Sequence, residues 1–193
     1  MKTTNINVRQ TMAGILFLGL LFMTVSCKGR DGSSTNSGGE VKAPTLDIHT
    51  AVITQNREAL EQHILAGTNL NEKEPFGGSS PLISAAVFGK PDMAKLLIEA
   101  GADLDFQNND GSTALISAAY FCRPDIVRML LGAGADKTIR NNFGATAYES
   151  VLAPYDQVKS SYDMMGKMLE PLGLKLDHAH LEKTRPEIAA MLK

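Results

Sequence analysis

The chain has 193 residues, 44% of them hydrophobic, with a formal net charge of -2 and two cysteines. That length allows one folded domain with a buried core, and the absence of a long Lys or Arg block removes the basic face that nucleic acid requires. With Cys27 and Cys122 as the only cysteines, no disulfide framework is expected.

At the N-terminus, Lys2 and Arg9 precede an apolar run from Met12 to Val25, which leads to "TVSC" ending at Cys27. The run has about the 7–15 residues of a signal-peptide apolar region and falls short of the ~20 needed to span a bilayer. An export signal over 1–27 is therefore expected, with a membrane anchor helix as the weaker alternative. The stretch resembles a bacterial lipoprotein signal, in which a small residue precedes the cysteine that becomes the lipidated first residue. Val25 and Ser26 suit that pattern, while Thr24 stands where the family usually has Leu, so ordinary signal cleavage nearby is the alternative. Lipidation at Cys27 would hold the protein to a membrane through its lipid alone, each buried methylene contributing about 0.8 kcal/mol. The next segment, "KGRDGSSTNSGGEVKAP" over 28–44, is rich in Gly and Ser and has little to bury. It reads as a flexible tether with an r.m.s. span of roughly 20–25 Å.

From residue 45 to 193 the chain repeats itself. "GSSPLISAAVFGKPDMAKLLIEAGADLDFQNND" begins at Gly78, and "GSTALISAAYFCRPDIVRMLLGAGADKTIRNNF" begins at Gly111, a spacing of 33. A weaker copy occupies about 45–77, and a divergent one about 144–193. Within a unit, Thr113 is placed to cap a short helix whose Ala118 and Ala119 allow close approach of a neighbour. Pro124 breaks the chain before a second helix with Ile126, Val127, Leu130 and Leu131 on one apolar face, and Gly134 ends it in a left-handed turn. One such pair cannot bury both its faces, so copies must stack.

These units resemble ankyrin repeats. "SPLISAA" at Ser80 and "TALISAA" at Thr113 are similar to the family's TPLHxAA, with Ile83 and Ile116 at its His position and His49 on that position in the first copy. "LLIEAGADLD" and "MLLGAGADKT" are similar to its LLLEAGADVN. The resemblance implies an all-α solenoid of stacked helix-turn-helix units with projecting short β-hairpin tips. Aligning Met168 with Met129 requires an insertion of about six residues near Ala153 to Ser161. After it, Thr184 and Glu187 are spaced as a capping box for a terminal helix, with Pro186 in its first turn. Gln62 and His63 suit the polar outer face of an N-terminal cap. His178 and His180 read as an incidental surface pair.

No phosphate-binding loop, zinc-spaced Cys/His set or nucleophile elbow occurs, so no catalytic residue, metal site or cofactor is expected. The ankyrin resemblance implies that a protein partner meets the tips and the exposed ends of the first helices. Those positions map to Phe76, Ser79, Asn109, Asp110, Ser112, Asn142 and Phe143 at the tips, and to Val87, Phe88, Tyr120 and Phe121 at the helix ends. Exposed aromatics there would be binding anchors, although one of each helix-end pair could instead pack into the neighbouring repeat. Cys122 stands where the preceding copy has Gly89. It is either a neutral replacement or a redox-reactive thiol whose pKa is lowered by Arg123. The expectation is an exported, membrane-tethered, monomeric bacterial module, with its folded part in the periplasm or at the cell surface, binding an unidentified protein. An envelope protective factor, associated with oxidative stress or with immunity to a toxin, is the alternative.

Overall fold

The computed structural model describes residues 41–193; Cys27, the apolar run before it and most of the tether lie outside the described residues. Three helix pairs come first. They are α1 (Ile48–Ile53) with α2 (Arg57–Leu65), α3 (Pro81–Phe88) with α4 (Pro91–Glu99), and α5 (Ala114–Tyr120) with α6 (Pro124–Ala133). Helices this short are marginal in isolation, so their stability comes from packing. The inner helices α1, α3 and α5 pack side by side, as do the outer helices α2, α4 and α6. Ala85, Ala86, Ala118 and Ala119 are fully buried between inner helices, and Leu60, Leu82, Leu97, Leu115, Ile126 and Leu130 fill one continuous core.

Local chemistry sets the helix starts. The side chains of Asp47, Ser80 and Thr113 accept from the amides of Thr50, Ile83 and Ile116, which begins each inner helix. The outer helices α4 and α6 begin on Pro91 and Pro124, whose missing N–H would have no intrahelical partner in any case. Between the helices of each pair one residue is left-handed: Gln55 at φ 58°, Gly89 at 63° and Cys122 at 52°. That conformation returns the next amide to a carbonyl five residues back. The bonds are Asn56 N to Ala51 O at 2.8 Å, Lys90 N to Ala85 O at 2.9 Å, and Arg123 N to Ala118 O at 2.8 Å.

The end of the chain departs from the pattern. Thr146 still caps as Ser80 and Thr113 do, its hydroxyl accepting from Glu149 N at 3.2 Å, but only a 3-10 turn follows, Glu149–Val151, before Pro154. Next comes α7 (Tyr155–Leu169), and then α8 (His178–Leu192). It is α8 that packs on α6 and on the 3-10 turn, placing Ile188 and Leu192 in the main core. The expected alignment of Met168 with Met129 is therefore corrected: α8 holds the outer-helix position of the last unit, and the insertion includes all of α7. The expected capping box is corrected too, because Asp177 caps α8 through His180 N at 3.1 Å while Thr184 and Pro186 lie within it. His63 is likewise no part of a polar outer face. It is buried, with Nε2 donating to Leu46 O at 2.7 Å and Nδ1 3.1 Å from the Thr68 hydroxyl.

The projecting loops between units contain no strand among the described residues. Each is a turn closed by a backbone bond: Glu74 N to Ser79 O at 3.0 Å, Asn108 N to Ser112 O at 3.1 Å, and Asn141 N to Ala145 O at 3.0 Å. Gly78 and Gly111 take φ 67° and 71°, and the next tip lies directly on each. A Cβ at Gly111 would stand 2.9 Å from Asn142 N, whereas one at Gly144, equally left-handed at φ 77°, would meet nothing within 4 Å. Gly144→Ala should therefore cost only the conformational term of about 1–2 kcal/mol, and Gly111→Ala should cost distinctly more, because backbone must move. Urea unfolding of the two variants checks this. Equal losses would mean that the tip-on-tip contact contributes nothing to stability.

Candidate partner-binding surface

Each tip is held from within by one side chain. Asn108 Oδ1 accepts from the amides of Asp110 (3.0 Å) and Ser112 (2.8 Å), and Asn141 Oδ1 from those of Phe143 (3.1 Å) and Ala145 (3.0 Å). The first tip is one residue longer, and the longer Glu74 carboxylate serves it, accepting from Phe76 N at 2.7 Å, Gly77 N at 2.6 Å and Ser79 N at 3.1 Å. Burial raises the Glu74 pKa, but the amides of Ser79, Phe76 and Gly77 outweigh it and leave the carboxyl below its usual value. Sequence reasoning missed these three residues. The available signal was the recurrence of "NN" at 108–109 and 141–142.

The tips are also joined to one another. Asn109 N donates to Gly77 O at 2.9 Å, Asn142 N to Asp110 O at 2.9 Å, and Asn142 Nδ2 to Asn109 O at 3.0 Å. The Asn109 side chain lies against Gly78. Asn109 and Asn142 thus join the tips, and the half-buried Ser79 and Ser112 belong to the same framework. What remains displayed is Phe76, 90% exposed, and Phe143, 78% exposed, on the outer two tips. Between them, Asp110 is exposed with its carboxylate in no hydrogen bond or ion pair among the described residues.

The helix-end positions are different. Phe121 is 3% exposed and belongs to the interior, and Tyr120 is covered by Tyr162 of α7, the rings stacked at 4.6 Å. These two expected anchors offer no free aromatic face, because the inserted α7 occupies that end of α5. Val87 and Phe88 remain half-exposed at the end of α3, with Arg123 Nη2 donating to Val87 O at 3.4 Å.

Cys122 is fully buried, beside Tyr162 and Leu181, and its Sγ lies 3.6 Å from Leu181 O. Burial pushes the thiol up to about 11, against the smaller opposing effects of Arg185 and Arg123. Of the two readings of Cys122 the burial favours the neutral replacement over the activated thiol, since desolvation outweighs the adjacent charge. Gly89 and Cys122 differ in what faces them from the next unit. A Cβ at Gly89 would lie 2.8 Å from Arg123 Nε, whereas Cys122 is followed by α8, which accepts the thiol. Since the folded state raises this pKa, its contribution to stability is intact below the ordinary thiol pKa and is lost as pH rises toward 11. The folded protein should leave Cys122 unlabelled by a maleimide for hours at pH 7 and label within minutes in urea. Equal rates in both conditions would return Cys122 to the candidate reactive groups.

The remaining histidines join elements. His49 Nε2 donates to Glu72 O at 3.0 Å, and its Nδ1 lies 3.2 Å from the Ser84 hydroxyl. His180 Nε2 donates to Cys122 O at 3.3 Å, and His178 meets the Tyr155 hydroxyl and, at 3.4 Å, Asp163. His178 thus belongs to the α7–α8 junction, and His180 ties α8 to the turn after α5, so the pair is not incidental. Among the described residues no group of three or more His, Cys, Asp or Glu is placed to hold a metal ion, and no helix is long and apolar enough to cross a membrane.

Comparison with known proteins agrees with this architecture. Residues 48–141 match the family model for ankyrin repeats, in three copies. A human protein named as the DNA-binding protein RFXANK is 35% identical over 71 residues, which span 34% of this chain and 27% of that protein. The crystal structure of the ankyrin repeat domain of Bcl-3, described as a unique member of the IkappaB protein family, superposes with a TM-score of 0.52 at 31% identity, covering 53% of this chain and 45% of that one. The chain thus spans about a quarter of the curated relative and under half of the solved one. Ankyrin repeats generally mediate protein–protein interaction, and the three helix pairs of this chain are such repeats.

Proposed function

We propose that this chain is an exported, membrane-tethered binding module that holds one protein partner along its row of tips. The observation that carries this reading is the pair of rings at Phe76 and Phe143, displayed on loops already tied together by backbone bonds. A solvent-facing ring on a rigid loop brings large contact area at small ordering cost, which is how a few aromatic anchors dominate an interface. Phe88 and Val87 extend the same face behind the first tip, and Ser79, Asn109, Ser112 and Asn142 supply its polar rim. Asp110, at the centre of the row, disfavours a phosphate backbone, so protein and not nucleic acid is the partner class.

The tether belongs to the same proposal. Lipidation at Cys27, with 28–44 as linker, would place residues 45–193 in the periplasm or at the cell surface as a monomer, with the membrane reached through lipid only. The module needs no cofactor and performs no catalysis. Two experiments test this. A photoreactive phenylalanine analogue at position 76 or 143 should crosslink one discrete protein in cells, and the same analogue at Lys95 on the outer helices should not. Crosslinking that is equal from all three sites refutes the tip reading. Incorporation of an alkyne fatty acid should vanish in Cys27→Ala, and retained labelling would refute lipidation at that residue.

A further inference from the structure

We infer that the partner presents an extended segment with an apolar side chain at each end and a lysine or arginine between them. The inference rests on the tip reading above and specifies its occupant. Phe76 and Phe143 belong to the first and third tips, two stacking steps apart. Packed helices lie 8–10 Å apart, so two steps separate the rings by roughly 16–20 Å. An extended chain advances about 3.3 Å per residue with side chains alternating between faces. Two side chains on one face at that separation are therefore about six residues apart.

The middle of the row selects charge. The backbone N and O of Asn109 and the N and Nδ2 of Asn142 bond from tip to tip, Asn141 Nδ2 donates to the Ser112 hydroxyl at 3.4 Å, and the side-chain oxygens of Glu74, Asn108 and Asn141 accept amides within their own loops. On the tips, Asp110 alone presents a carboxylate in no hydrogen bond or ion pair among the described residues, midway between the rings. A carboxylate held there favours a cation that is also anchored on both sides, and it penalises an acid at the same point. The thickness of the occupant follows from α7. Because Tyr162 stands on Tyr120 at the end of α5, the face behind the second tip is obstructed, which disfavours a helix about 10–12 Å wide and leaves room for a single strand.

The test is selection from a displayed library of random peptides about 16 residues long, enough for an extended segment or a helix of three to four turns. The bait is the full-length protein and its Phe76→Ala, Phe143→Ala, Asp110→Asn and Asp110→Lys variants, each checked for an unchanged melting curve. Enriched peptides should carry apolar residues at i and i+6 with Lys or Arg at i+2 or i+4. Their affinity should fall roughly thirtyfold with either alanine variant and about tenfold with Asp110→Asn, and Asp110→Lys should select an acidic centre. Enrichment that ignores Asp110, or that repeats at i, i+7 and i+14, overturns the inference while leaving the tips as the binding surface. Failure to enrich any peptide sensitive to Phe76 or Phe143 overturns both.

Discussion

Tyr162→Ala should lower the stability of the folded domain by about 3–5 kcal/mol and release α7 from the repeats. Tyr162 is fully buried where the insertion meets the stack. Its ring stacks on Tyr120 at 4.6 Å and on Tyr155 at 5.9 Å, its hydroxyl donates to Tyr120 O at 2.6 Å, and Arg185 Nη1 donates to it at 2.7 Å. Alanine leaves a cavity bounded by Cys122 and Leu181 and strands two polar partners. The loss should appear as a melting temperature lower by roughly 10 °C. It should also be regional: amides of 155–169 exchange rapidly with deuterium while those of α3 and α4 remain protected, since local units open at their own free energies. A uniform loss of protection across all helices would show that α7 and the repeats are one cooperative unit.

Arg185→Ala should cost about 3–4 kcal/mol, although no carboxylate pairs with this residue among the described residues. The guanidinium is 3% exposed, a placement that is costly for a charge unless hydrogen bonds offset it. Its donors reach Tyr162 Oη at 2.7 Å, Ala153 O at 2.9 Å and Ser150 O at 3.4 Å, from three directions that only a planar fork satisfies together. Arg185→Lys should therefore recover less than half of the loss despite keeping the charge. A double-mutant cycle with Tyr162→Phe should give a coupling of about 1–3 kcal/mol. Full rescue by lysine would show that charge, not fork geometry, is what the site requires. The same contacts join the end of the 3-10 turn to α7 and α8, so Arg185 and Tyr162 together hold the insertion to the stack.

Much of this architecture is legible from residue order. The 33-residue period, the Ser80 and Thr113 caps, the proline starts at Pro91 and Pro124 and the left-handed Gly134 are all short-range features, set within a few bonds of the residues concerned. The end of the chain is less legible. The Thr184–Glu187 spacing has the form of a helix start, yet the helix opens earlier, at His178. Asp177 caps it there, and the packing of Leu181 beside Cys122 holds that first turn in place.

The candidate surface divides along the same line. Phe76 and Phe143 sit in turns, where exposure follows from local chain geometry, and both are displayed. Tyr120 and Phe121 occupy the same register as Val87 and Phe88, and nothing within their own repeat tells them apart. What distinguishes them is a helix that begins 35 residues later, at Tyr155, and crosses the end of α5. Cys122 is the sharpest case. Its neighbour Arg123 argues for a reactive thiolate, and the burial imposed by Tyr162 and Leu181 argues more strongly against one. Residue order thus settles the repeat, its caps and its turns, because those depend on near neighbours. Which side chains stay in water depends on contacts between distant segments, and in this protein α7 and α8 make that choice.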